Sequence, residues 1–145
     1  MNQPRDIKFR AFDILTNKMI DTGFHILGEI MAFGLIESYI QENMCGADSF
    51  LDRLNDIKIS QFTGLKDKHG ADIYEGDIVE TRIYDGWFDK EGFLILFVVY
   101  YNQSEAAFKI ALPGAQKAGY KGGEMSHAPL WVVGNIFENP KLLEK

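Results

Sequence analysis

The sequence predicts an α+β, mostly β chain, in which an N-terminal hairpin and helix pack on a C-terminal small β-barrel. Three observations carry that expectation. The chain opens on an alternation of apolar and basic residues, and a stretch with apolar side chains at three- and four-residue spacing follows. Beyond Asn55, short apolar runs are separated by turns containing Gly, Asn and Asp. A hairpin-plus-helix segment over 1–56 and a barrel with a C-terminal tail over 57–145 are the expected divisions.

Taken in order, Ile7 to Phe12 has the period-2 pattern of a strand with one buried face, and Thr16-Asn17-Lys18 turns it back into a short partner, Met19-Ile20. From Gly28 to Met44, Ile30, Phe33, Ile36, Ile40 and Met44 recur at helical spacing, and Gly46 follows where a helix C-terminus favours positive φ. Asp48 or Ser49 can cap a further turn, Phe50 to Leu54. Five strands are then expected: Ile57–Phe62, Asp77–Tyr84, Phe93–Tyr101, Ala107–Leu112 and Leu130–Val133. The loop Pro113 to Pro129 is the longest connection. Short strands with tight turns suggest a closed or half-closed barrel, since closure removes exposed edges.

Composition narrows the function classes. With 145 residues, 46% apolar and 25% charged, the chain can bury a core without staples, which argues against disorder, a collagen-like fibre or a disulfide scaffold. Cys45 is the single cysteine, so an internal disulfide and a multi-cysteine metal site are excluded; a reducing cytoplasm fits. Met1 to Arg10 lacks the apolar centre of a signal peptide, and no window approaches a membrane span. Against a net charge of −6, only the last third could present a positive face, with 5 basic and 4 acidic residues over 93–145.

The stretch Thr63-Gly64-Leu65-Lys66-Asp67-Lys68-His69-Gly70-Ala71-Asp72-Ile73-Tyr74-Glu75-Gly76-Asp77-Ile78-Val79 resembles the signature of the YopX family of phage and prophage proteins. Ile7 to Asp13, Gln61 to Gly64 and Val133 to Pro140 match that family's pattern as well, so the resemblance runs over nearly the whole chain. Phe12 and Phe137 depart from it, standing where Trp and Tyr are commoner. The resemblance implies an SH3-like barrel, an origin in phages and mobile elements, and a cytoplasmic place in a host bacterium. It supplies no catalytic residue. Read physically, Gly64, Gly70, Gly76 and Asp77 are architectural: the glycines permit tight turns and Asp77 can accept backbone N–H groups.

Sharper chemistry is weighed against blander alternatives. Asp67, His69, Asp72, Glu75 and Asp77 could hold a divalent cation for a metal-assisted hydrolase, yet their spacing fits no closed calcium loop, and solvated turn charge is favoured. Gly114 to Lys121 approaches a phosphate loop but lacks Lys directly after the second glycine and a following hydroxyl. Gly119 to Gly122 mimics a KH-type clamp but lies between strands. Ser126-His127 has no nucleophile-elbow context, and Trp87, Phe88 and Trp131 read as core or interface aromatics. No catalytic residue, metal or cofactor is expected.

Two binding expectations remain. Lys109, Lys117, Tyr120 and Lys121 form an acid-free basic segment that could contact nucleic acid weakly, against a solvated loop as the alternative. Self-association is expected more firmly, because the apolar residues of the helix, including Ile36 and Ile40, cover more than one face; a helix sandwiched within one chain is the alternative. The leading expectation is a non-enzymatic accessory protein that forms a homo-oligomer and binds a macromolecular partner, with no membrane role.

Overall fold

The computed structural model describes residues 6–25, 29–43, 49–83, 92–115, 123–125 and 129–144, and within them side chains other than those of 21–35 and 83. Contacts divide the chain into two compact units, Met1–Gly64 and Leu65–Lys145.

In the first unit, β1 (Lys8–Asp13) pairs antiparallel with β2 (Lys18–His25) on one side and with β3 (Ile57–Lys66) on the other. The turn between β1 and β2 is held by Asp13, whose Oδ1 accepts the N–H groups of Leu15 and Thr16, and Asn17 takes φ 54°. β2 runs five residues beyond the expected Met19-Ile20, since the register shifts between Phe9 and Ala11 and pairing resumes at Phe9↔Phe24. β3 was expected to open the barrel; its pairing with β1 from Phe9↔Gln61 to Asp13↔Ile57 places residues 57–64 in the first unit instead.

Two helices complete this unit, α1 (Glu29–Glu42) and α2 (Phe50–Asn55). Ser49 caps α2 in a reciprocal box with Asp52, each side chain engaging the other's backbone N–H. Ile36 and Ile40, one turn apart on α1, are 5% and 0% exposed and pack with Ala11, Ile20 and Ile57, flanked by Phe9, Tyr39, Phe50 and Leu54. The structure therefore corrects the interface expectation at these two residues. They form the core stripe of the helix within the chain, each burying a side chain worth roughly 1.5 to 3 kcal/mol.

The second unit holds β4 (Asp72–Tyr74), β5 (Asp77–Ile83), β6 (Phe93–Asn102), β7 (Ala107–Ala111), β8 (Gly123–Glu124) and β9 (Trp131–Asn135). Five of them make an antiparallel sheet in the order β8-β7-β6-β5-β9. Ile73, Val79, Val99, Ile110, Met125 and Leu130 are its buried core, with Phe97, Phe108 and Val132 against them. The chain is thus α+β and mostly β, as the sequence predicts. Among the described residues no pairing joins β8 to β9, so the sheet has two ends where a closed barrel would have none.

Candidate functional site

The signature segment forms a hairpin whose loop is organised by one carboxylate. Asp67 Oδ1 accepts the backbone N–H groups of His69 at 2.8 Å and Ala71 at 2.9 Å, and Oδ2 accepts that of Val132, on β9, at 3.1 Å. Burial alone would raise the Asp67 carboxyl; the three N–H donors, Val132 first, hold it below the usual carboxylate range. The Lys68 N–H donates to the Leu130 carbonyl, a second tie between loop and β9 approach. Gly64 and Gly70 have φ 89° and 85°, the left-handed region a Cβ disfavours.

A second turn lies between β4 and β5. Gly76 has φ 82°, and a Cβ there would come within 3.2 Å of the Phe137 ring. Its N–H donates to the Val99 carbonyl and its own carbonyl accepts the Ile136 N–H, so Gly76 joins β6 to the turn after β9. Asp77, wholly buried, accepts the Tyr74 N–H at 2.8 Å. The turn after β9 is similarly built: Asn135 Oδ1 accepts the N–H groups of Phe137 and Glu138, while Asn139 Oδ1 accepts that of Asn135. A Cβ on Gly134 would stand 2.6 Å from Asn139 Oδ1, which explains the glycine in Val133-Gly134-Asn135.

Beside the hairpin loop lies a cleft of about 250 Å³, lined by Leu65, Lys66, Asp67, Lys68, Ile73, Met125 and Leu130. Ile73, Met125 and Leu130 of its lining belong to the buried cluster, and Lys66, Asp67 and Lys68 supply charges of both signs. Lys66 is paired with Asp72, while Lys68 is exposed beside it, and the Asp67 carboxylate is turned to backbone donors. The volume falls below the roughly 300 to 1,000 Å³ of ligand pockets. Met125 could not be assigned to it from sequence, because it falls in the long loop where no periodicity marks which apolar residues turn inward, and Leu130, at the start of the expected strand Leu130–Val133, carries no signal of which neighbour it meets.

The other sequence candidates do not converge on one site. Lys109 is 6% exposed, and its ammonium lies 2.7 Å from both Glu105 and Glu124, which raise its pKa in that order and satisfy its charge locally. Lys117, Tyr120 and Lys121 lie outside the described residues. The cluster Asp67, His69, Asp72, Glu75 and Asp77 disperses: Asp67 and Asp77 face backbone donors and Asp72 faces Lys66. Among the described residues no three His, Cys, Asp or Glu side chains come close enough to hold a metal ion. Among them, too, no helix is long and apolar enough to cross a membrane.

The first unit contains a polar centre that sequence reading missed. Arg53 and Asp13, both 0% exposed, pair at 2.7 Å and 3.3 Å through two nitrogens and two oxygens. Tyr39 donates its hydroxyl to Asp13 Oδ2 at 3.0 Å, and Arg53 also reaches Asp56 at 3.1 Å. Burial opposes the Asp13 charge, but hydrogen bonds from Arg53, Thr16 and Tyr39 prevail and hold the carboxyl at about 2. The pair ties β1 to α2 and α1.

The architecture is β-rich and falls into two units, with motif residues spent on turns beside a small cleft. The model of the YopX protein family matches residues 8–144. The chain belongs to the YopX family. No curated protein matches it. A solved structure, the crystal structure of protein EF1440 from Enterococcus faecalis, is similar, with 23% identity, coverage of 94% of this chain and 97% of that one, and a TM-score of 0.49.

Proposed function

We propose that the chain is a phage- or prophage-encoded accessory protein of the host bacterial cytoplasm, non-enzymatic, which acts by self-association and by binding a protein partner. The observation that carries the binding reading is the cleft. An apolar floor held by Ile73, Met125 and Leu130, beside the exposed Lys68, matches an apolar side chain next to an acidic one. The Asp67 network pre-organises the rim, so little ordering cost accompanies capture.

Affinity capture from lysogenic cells tests this, with Lys68→Glu and Met125→Asp compared with the parent chain. A specific protein retained by the parent and released by both variants is expected. Retention unchanged by either variant would remove the cleft from the interaction.

A further inference from the structure

Among the described residues of the second unit, one strand edge is half covered. β6 pairs with β5 from Phe93↔Ile83 to Val98↔Ile78, but on its other side β7 accompanies it only from Val98↔Ala111 to Asn102↔Ala107. Among the described residues no strand pairs with Phe93–Phe97 on that side. Natural sheets protect such edges with charge, proline or bulges. Phe93-Leu94-Ile95-Leu96-Phe97 has none of these, and Phe93 and Leu94 are 56% and 55% exposed.

The five residues also read identically in both directions. An antiparallel partner of the same sequence, centred on Ile95, would set Phe93 against Phe97, Leu94 against Leu96 and Ile95 against itself. Aromatic and aliphatic cross-strand pairs of this kind stabilise a ladder, and the arrangement is the isologous contact of a twofold dimer. On one face, Leu94 and Leu96 stand beside Arg82 and Glu80 of β5, so charged residues flank the apolar seam without entering it. On the other, Phe97 already packs against the buried cluster and fixes the strand's orientation.

We propose that Phe93–Phe97 is the self-association surface, joining two copies edge to edge through β6 into one continuous sheet. This specifies the place and register of the self-association proposed above and rests on that reading. The occupant is a second copy, because the segment complements itself and offers no charge to select a different partner.

Light scattering coupled to gel filtration of the full chain at micromolar concentration tests it, with circular dichroism as the folding control. The parent is expected at a multiple of 16.5 kDa. Leu94→Lys and Leu96→Glu should each shift the mass toward one chain, because a charge then faces an apolar side chain across the seam. Combining them sets Lys against Glu at both symmetric positions and should restore the larger mass. A parent of 16.5 kDa would overturn self-association altogether. A larger parent unaffected by either single substitution would overturn this surface while leaving self-association standing. Dissociation by the single substitutions without rescue by the pair would overturn the register. A single variant that loses its β-sheet signal shifts the decision to the other one and to the pair.

Discussion

Asp13 and Arg53 show how much one buried pair can demand of its neighbours. Removing one partner leaves an uncompensated charge, so Asp13→Asn, which keeps the acceptor for Leu15 and Thr16, should cost about 3 to 5 kcal/mol in chemical denaturation. Combining it with Arg53→Met should cost less than the sum of the two single changes. The same carboxyl carries a pH signature. Its value is about 2 in the fold against an ordinary 3.8, so the unfolded chain takes up the proton first as pH falls. Stability from this group is complete above about pH 4 and declines toward pH 2, by on the order of 2 kcal/mol, a slope Asp13→Asn should lose. At Gly76, a side chain meets both a positive φ and the Phe137 ring, so Gly76→Val should lower stability by about 1 to 3 kcal/mol, read as an earlier denaturation midpoint.

Elements were legible where a residue pattern is local. Ser49, Asp52 and the apolar Phe50 announce α2, and the alternation from Ile7 to Phe12 announces β1. The partner of β3 was not legible, because an apolar run such as Ile57–Phe62 states that it is buried and leaves open by which neighbour. Ile36 and Ile40 were visible as a stripe, but a stripe alone does not say whether Ala11 and Ile57 or a second chain covers it. Asp67 was legible as a turn residue; its reach to Val132, 65 residues on, was not. That reach makes the signature hairpin and β9 one element energetically. Asp67→Ala should leave the His69, Ala71 and Val132 N–H groups without their acceptor, and hydrogen exchange at Ala71 and Val132 should accelerate together. Faster exchange at Ala71 alone would mean that the tie to β9 contributes nothing.

At the scale of the whole molecule, the motif that identifies the family serves the architecture. Gly64, Gly70, Gly76, Asp77 and Asn135 set turns, while other residues of the same signature, Leu65 to Lys68 and Ile73, line the cleft. The proposed self-association and partner-capture surfaces, the β6 edge and the hairpin cleft, share no residue, so a dimer joined as proposed would keep the cleft lining out of its seam. The buried guanidinium adds an experimental handle. Trypsin cuts after Arg and Lys, and Arg53 is wholly enclosed while Lys68 stands on an exposed loop. In a limited digest the bond after Lys68 should therefore be cut in the native chain, whereas the bond after Arg53 should wait for the first unit to open. The rate of that second cut is a built-in clock for the unit's opening, readable by mass spectrometry without any label.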